Sequence, residues 1–322
     1  MLTAFACDNG TLHRLAEPSG DAMRSAVWID LVGPMADEVR SVESATGLEV
    51  SSRDELSEIE TSSRLAAENG ELYLSMPLIG RGDEAVVPVG FVLSSDRLLT
   101  IRFADNAVFE HFADRKPGLA PACLTAAHIL VGLLETIVDR QADALEQTRA
   151  DLDAISRRIF RAGAPDKRNQ EDRRLRETLA AIGRAGEFIS DIHDSHHGAG
   201  RIVAFVQAAA HDRLPPELLP RLRTLRQDIV SLNDFSGHLN NKVQFLLDAT
   251  LGFINIAQSH IIKVLAVVGT VGVPPTLIAS IYGMNFEGMP ELHLSWGYPM
   301  ALGLILLSAI VPLLWFRRRG WL

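Results

Sequence analysis

The stretch Tyr282-Gly283-Met284-Asn285-Phe286-Glu287-Gly288-Met289-Pro290-Glu291-Leu292 lies between two long apolar runs and decides the fold of this chain. The runs occupy residues 264–281 and 298–316, and neither contains a charged side chain. A helix needs about 20 mainly apolar residues to cross the hydrocarbon core of a bilayer. In lipid, each crossing segment must also satisfy its own backbone hydrogen bonds. The sequence therefore predicts an integral membrane protein with a helical hairpin.

Basic residues flank the two runs on one side only. Lys263 precedes the first run, and Arg317, Arg318 and Arg319 follow the second. The segment between the runs contains acidic residues but no Lys or Arg. Because basic residues that flank membrane spans stay on the cytoplasmic side, we expect both termini in the cytoplasm and the loop outside.

The composition predicts a large aqueous part as well. With 322 residues, 47% hydrophobic and 22% charged, the chain is too charged to lie mostly in a membrane, and the charges are concentrated before residue 250. The net charge of −9 argues against a nucleic-acid partner and fits a protein that handles cations. Two cysteines, Cys7 and Cys123, cannot form a disulfide framework and indicate a reducing compartment.

Three regions follow from these patterns. They are an α+β cytosolic domain at 1–115, a cytosolic helical stalk at 116–257 and a transmembrane hairpin at 258–322, with spans at about 262–282 and 298–316 and an external loop at 283–297. The first region should contain strands at 26–32, 71–79, 86–93 and 97–103, a polar helix at 53–69 and a hairpin at Asn9-Gly10. Beyond it, long helices are predicted at 121–161, 166–211 and 216–281, and the glycines at 198 and 200 are a candidate interruption of the second.

A heptad stripe runs along the third long helix. Stepping by seven gives Asp248, Asn255, Ile262, Gly269, Thr276 and Gly283. Most of these residues are small or polar within an otherwise apolar helix, which suits a water-filled axis between several copies. Small residues also let helices pack closely in lipid, so the periodicity alone leaves both interpretations open. The polar loop at the end of the stripe favours the pore.

These motifs resemble the CorA family of magnesium transporters. The similarity is carried by Tyr282-Gly283-Met284-Asn285, Met289-Pro290-Glu291-Leu292, Trp296-Gly297-Tyr298-Pro299, Gly252-Phe253-Ile254-Asn255-Ile256, Ile261-Ile262-Lys263 and Arg319-Gly320-Trp321-Leu322. The close match covers roughly the last quarter of the chain, and the rest is similar in architecture. The resemblance implies a funnel-shaped homo-oligomer of five subunits in the bacterial inner membrane.

The resemblance also implies roles for individual residues. Gly283, Met284 and Asn285 would form a selectivity filter that contacts hydrated Mg²⁺, which gives up its waters reluctantly. Asp248, Asn255, Leu265, Gly269 and Thr276 would line the pore, with Asp248 as a metal ligand in a carboxylate ring at the inner end and Leu265 as a hydrophobic constriction. Glu287 and Glu291 would attract cations to the mouth, although they could equally keep the loop out of lipid.

The expected function is influx of Mg²⁺, with Co²⁺ and Ni²⁺, driven by the membrane potential. The sequence leaves open whether transport is ungated or closed by cytosolic Mg²⁺. The alternatives are a zinc transporter of the same superfamily and a membrane-anchored scaffold. We expect no enzyme activity and no resident cofactor, since the sequence has neither a catalytic constellation nor an ATP-binding glycine loop.

Two further groups of residues are candidate metal ligands. His193, His196 and His197 could bind zinc or nickel, but such a cluster is more often a solvated helix end. Cytosolic carboxylates could sense Mg²⁺, as the resemblance implies, and the sequence does not select among Glu135, Asp139, Asp143, Glu146, Asp151, Asp153, Asp228 and Asp234.

Overall fold

The structure is a computed structural model that describes residues 1–8, 11–16, 20–58, 60, 64–80, 86–113, 124–161, 168–210, 213–284, 289 and 294–321. These residues form two compact units, Met1–Leu247 and Asp248–Leu322. The first unit contains a mixed sheet with helices on both faces, and the second contains two apolar helical segments.

The sheet has seven strands in the order β2-β1-β3-β7-β6-β5-β4. The strands are β1 (Leu2–Asp8), β2 (Thr11–Arg14), β3 (Trp28–Val32), β4 (Leu65–Glu68), β5 (Glu71–Ile79), β6 (Val86–Leu93) and β7 (Leu98–Arg102). Only β3 and β7 pair in parallel; the other neighbouring strands pair antiparallel. Bounds predicted for β5 and β6 are confirmed. Strands β1 and β2 pair antiparallel with Asp8 opposite Thr11, and the predicted turn at Asn9-Gly10 lies outside the described residues.

The eight helices of the described residues differ greatly in length. They are α1 (Gly20–Ser25), α2 (Ala36–Thr46), α3 (Arg53–Ser57), α4 (Ala107–Ala113), α5 (Ala126–Arg161), α6 (Arg168–Ala209), α7 (Leu218–Tyr282) and α8 (Gly297–Arg318). The three long helices predicted before the loop are confirmed as α5, α6 and α7. The last of them contains 65 residues and continues through Pro274 and Pro275.

The prediction of one helix at 53–69 is wrong in its second half. Helix α3 ends at Ser57, and the chain returns as β4, which pairs antiparallel with β5. The turn between these strands is Asn69-Gly70, and both residues have positive φ, 52° and 88°. That conformation suits a two-residue hairpin and is the one that Asn-Gly favours. The second Asn-Gly pair in the sequence was therefore an overlooked hairpin signal.

Each face of the sheet carries its own hydrophobic core. One core packs Met23, Val42 and Leu56 from α1, α2 and α3 against Leu99 and other strand residues. The opposite core packs the adjacent Leu98 and other strand residues against α4 to α7. Successive residues of a strand point to opposite faces of the sheet. Because both faces are covered, neighbouring positions of β7 are both apolar.

Gly198 allows α6 to lie directly on the sheet. The predicted interruption at the glycines is wrong, because α6 is continuous from Arg168 to Ala209. A Cβ added at Gly198 would lie 2.7 Å from Met76 Cβ and 3.0 Å from Pro77 Cδ in β5. The glycine is required by this close approach and leaves the helix intact.

Replacement of Gly198 by valine should lower the free energy of unfolding by about 1–3 kcal/mol, because the helix and strand must separate. Thermal unfolding of the full-length protein in detergent measures the change. Gly183→Ala in the same helix is the matched control, since nothing lies within 4 Å of its added Cβ. That variant should be neutral or slightly stabilising. Equal melting temperatures for Gly198→Val and wild type would contradict the packing argument.

Candidate functional site

The second unit presents an almost fully apolar, exposed surface. Helices α7 and α8 are each long and apolar enough to cross a membrane by length and composition. Large side chains around α7 are open to the surroundings, among them Ile262 at 67% and Leu265 at 69% exposure. Since burial of apolar surface is the main driving force of folding, this much exposed surface must be covered by lipid or by other copies of the chain.

The heptad stripe is exposed along its whole length. Asp248, Asn255, Ile262, Gly269 and Thr276 are accessible positions of α7, and the sixth member, Gly283, is exposed directly after the end of the helix. A seven-residue step drifts by about 20° per repeat on a straight α-helix, so the stripe winds slowly around α7. Side chains on one winding stripe can face a common axis when several helices cross at a shallow angle.

Small residues make a shallow groove at the centre of this stripe. The groove is lined by Gly269, Gly272, Thr276 and Ser280 together with flanking apolar residues. Thr276 Oγ1 donates its hydrogen to the carbonyl oxygen of Gly272 at 2.8 Å. Because the hydroxyl hydrogen is used in this way, the oxygen lone pairs of Thr276 remain as acceptors toward the groove. Such an oxygen can accept hydrogen bonds from water around a cation.

Helix α7 ends where the predicted filter begins. The Gly283 N–H donates to the Ala279 carbonyl at 3.0 Å, and the Met284 N–H donates to the Ile281 carbonyl at 3.2 Å. A helix C-terminus carries partial negative charge and leaves carbonyl oxygens without intrahelical partners. The next predicted residues, Asn285, Glu287 and Glu291, lie outside the described part of the chain.

Aromatic and basic side chains meet at the other end of the hairpin. The Lys263 ammonium lies 5.8 Å from the centre of the Trp321 ring, which stacks on Phe316 at 5.3 Å. Arg319 lies 4.7 Å from the Trp315 ring. Amphipathic aromatic and basic residues are enriched where a span leaves the membrane. This cluster was not predicted from the sequence, although Trp315 and Trp321 on either side of the three arginines are a signal for it.

Several predicted metal ligands of the first unit are engaged in ion pairs. Arg221 lies 2.6 Å from Glu135, and this hydrogen bond raises the pKa of the guanidinium. Lys242 lies 2.6 Å from Asp153 and lowers the pKa of that carboxyl group by hydrogen bonding and charge. Among the described residues, no group of three or more His, Cys, Asp or Glu side chains is arranged to hold a metal ion.

The three histidines of α6 fall into two environments. His196 is fully buried, which lowers its pKa to about 4, and its ring nitrogens find no hydrogen-bond partner among the described residues. His193 and His197 lie together at the surface, with their Nε2 atoms 3.1 Å apart. The cluster proposed from the sequence is therefore a pair plus one separate core residue.

Comparison with known sequences identifies similar proteins over the whole chain. Residues 24–318 match the family described as "CorA-like Mg2+ transporter protein". A magnesium transport protein CorA of Pectobacterium atrosepticum is 35% identical over 325 residues, which cover 100% of both chains. The protein of the same name from Escherichia coli strain K12 is 34% identical with the same coverage.

Solved structures show the same fold. The complete structure of the CorA magnesium transporter from Methanocaldococcus jannaschii has a TM-score of 0.75 at 19% identity, and the match covers 100% of this chain and 99% of that one. The full-length CmaX protein has a TM-score of 0.70 at 16% identity, with 100% and 98% coverage. The predicted architecture, an α+β domain followed by long helices and an apolar hairpin, is confirmed.

Proposed function

This chain belongs to the CorA family of Mg²⁺ transporters, and on that premise we propose that five copies form a channel through which Mg²⁺ enters the bacterial cytoplasm. The channel lies in the inner membrane with both termini of each copy in the cytoplasm. The membrane potential favours entry of a divalent cation by about 4.6 kcal/mol of free energy per 100 mV, because each of its two charges contributes about 2.3 kcal/mol. No ATP-driven step is then needed.

The exposed heptad stripe is the observation that carries this proposal. In a single chain the stripe has no cover, whereas around a five-fold axis it lines a path of small and polar side chains. Thr276 contributes an acceptor oxygen to that path, since its hydrogen is bonded to the Gly272 carbonyl. The waters around Mg²⁺ point their hydrogens outward, so hydrogen-bond acceptors on the pore wall can bind the hydrated ion. Weak contacts of this kind select the ion without trapping it.

The filter is proposed at the outer end of the path. Gly283 and Met284 place backbone carbonyls at the helix C-terminus, where the partial negative charge favours a cation. Asn285 adds an amide oxygen from each copy. Ion and filter would interact through the first shell of water, because Mg²⁺ loses that shell reluctantly.

The inner part of the path is proposed to contain the gate. Leu265 is 69% exposed beside the stripe and would form an apolar constriction that closes by losing water. Asn255 would form a polar ring further in. Asp248 is exposed at the start of the second unit and would form a ring of carboxylates at the inner end. Binding of cytosolic Mg²⁺ would favour the closed state.

Thr276→Val should lower the rate of Mg²⁺ influx about tenfold, because it removes the acceptor oxygen while keeping the shape of the side chain. Water can partly replace the lost contact, so transport should not be abolished. Thr270→Val, an exposed position of α7 outside the stripe, is the matched control and should transport normally. Equal losses in both variants would count against a pore along this stripe.

Glu287 and Glu291 are proposed to concentrate cations at the outer mouth, where five copies would supply ten carboxylates. The double variant Glu287→Gln/Glu291→Gln should reduce influx several-fold at low ionic strength and have little effect at high salt, since salt screens exposed charges. Influx measured at two salt concentrations tests this. A loss that is independent of salt would contradict attraction by charge.

Ion flux into proteoliposomes tests the proposed function as a whole. Purified full-length protein should carry Mg²⁺ inward when a negative internal potential is applied, and Co²⁺ and Ni²⁺ should follow. Zn²⁺ entry without Mg²⁺ entry would instead assign the chain to zinc transport. Absence of flux for every ion, in protein that is folded and oligomeric, would support a membrane-anchored scaffold.

A further inference from the structure

Helix α6 carries two histidines whose rings meet above its surface. Nε2 of His193 and Nε2 of His197 are 3.1 Å apart, and the ring planes lie at 89° with their centres 4.5 Å apart. Residues four apart lie on the same face of a helix, so the backbone itself holds the rings together. His193 is half-buried and His197 is exposed, so solvent reaches the pair.

We propose that His193 and His197 form a binding site for one borderline divalent transition-metal ion, such as Ni²⁺ or Zn²⁺. With metal–nitrogen bonds of about 2.0–2.1 Å, nitrogens 3.1 Å apart subtend about 95–102° at the metal. This angle lies between those of octahedral and tetrahedral coordination. To bind one ion, both rings must turn so that their Nε2 lone pairs leave the line between the two nitrogens and point at the metal.

Proton transfer does not oppose this binding. A hydrogen bond between two neutral imidazoles requires one Nε2–H donor and one Nε2 lone pair as acceptor. When the metal binds, the donating ring takes its Nδ1–H tautomer, so both Nε2 lone pairs become available without net loss of a proton. The metal then replaces a single hydrogen bond with two coordination bonds.

The chemistry of this site differs from that of the proposed pore. Imidazole suits Ni²⁺ and Zn²⁺, whereas Mg²⁺ prefers oxygen ligands and retains its waters. The two imidazoles supply two ligands, and we expect water to fill the remaining coordination positions. Affinity should accordingly be moderate, as in a reversible site.

Charges around the pair do not exclude a cation. Glu187, Asp191 and Asp194 of α6 are close enough for their charges to interact. The Arg64 guanidinium interacts with the Asp194 carboxylate and also with the charge of Arg201. Asp194 directly follows His193 in α6, and its negative charge does not oppose binding of a cation.

Binding of Ni²⁺ to untagged, full-length protein in detergent tests the site. Excess Mg²⁺ should be present throughout so that oxygen sites are already occupied. Equilibrium dialysis should show one more Ni²⁺ per chain for wild type than for His197→Ala or His193→Gln. His238→Ala is the matched control, because His238 is an exposed histidine of α7 with no histidine three or four residues away. It should bind as wild type does.

Thermal unfolding supplies an independent readout. Ni²⁺ should raise the melting temperature of wild type and of His238→Ala, and this shift should be lost in His197→Ala, because a ligand stabilises the state that binds it. Equal Ni²⁺ binding by wild type and His197→Ala would overturn the proposal. An equal loss of bound Ni²⁺ in His238→Ala and His197→Ala would also overturn it, because it would show that single imidazoles bind the ion. Neither result depends on whether the protein transports Mg²⁺.

Discussion

Potential-driven Mg²⁺ uptake is expected to fall at least about 60-fold in Asn285→Ala, while the oligomer still assembles. In the proposed filter, five amide oxygens accept hydrogen bonds from the water shell of one ion. Each such bond contributes about 0.5–1.5 kcal/mol, so losing all five raises the barrier by about 2.5–7.5 kcal/mol. A tenfold change in rate corresponds to about 1.4 kcal/mol, which makes the smallest expected loss about 60-fold.

Flux into proteoliposomes and the mass of the detergent-solubilised oligomer should be measured on the same preparation. Asn240→Ala, which removes an exposed amide from α7 far from the loop in sequence, is the matched control and should transport at the wild-type rate. Asn285→Gln tests position, since it keeps the amide on a longer side chain. A normal Mg²⁺ rate in Asn285→Ala would exclude a filter at this residue and return the hairpin to the role of an anchor.

The sequence predicted best those features that repeat along the chain. Strands β5 and β6 follow from mainly apolar runs bounded by turn residues. The long helices follow from helix formers interrupted by breakers at Gly163-Ala164-Pro165 and Leu214-Pro215-Pro216. The heptad stripe could be recognised in the sequence because small or polar residues such as Gly269 and Thr276 recur at seven-residue steps in an apolar helix. Its proposed role in conduction still depends on the transport experiments above.

Features that join distant parts of the chain were not predictable in this way. The contact of Gly198 with Met76 depends on how a helix lies on a sheet, and the glycine alone suggests a helix break instead. The pairing of Asp30 with Arg102 joins residues 72 positions apart, and neither residue belongs to a recognisable motif. Such contacts arise from the topology of the sheet, in which β3 and β7 are neighbours.

The buried pair of Asp30 and Arg102 should be essential for the stability of the first unit. Asp30 is 4% and Arg102 is 6% exposed, and Asp30 Oδ2 lies 2.8 Å from a guanidinium nitrogen of Arg102. Thr100 Oγ1 also donates to Asp30 at 2.6 Å, and the Trp28 indole donates to Thr100 at 3.0 Å. This network crosses the parallel pair β3 and β7 at the centre of the sheet.

Asp30→Ala should therefore lower the free energy of unfolding by about 3–5 kcal/mol, because it removes the buried carboxylate partner of Arg102 and leaves the Ala104 carbonyl and the exposed Asp105, 3.8 Å away, as weaker partners. For a unit of this size, the melting temperature of the full-length protein in detergent should fall by roughly 6–20 °C. Asp37→Ala is the matched control. It removes the partner of Arg40 in an exposed ion pair, so the free energy of unfolding should change by no more than about 1 kcal/mol.

The double variant Asp30→Leu/Arg102→Met separates two causes of that loss. If the cost comes from an unpaired buried charge, replacing both partners by apolar side chains should restore much of the stability, since a well-packed apolar pair can substitute for a buried ion pair. If the hydrogen bonds of Thr100 and Trp28 are the main contribution, the double variant should remain as unstable as Asp30→Ala. A melting temperature for Asp30→Ala equal to that of wild type would contradict both explanations.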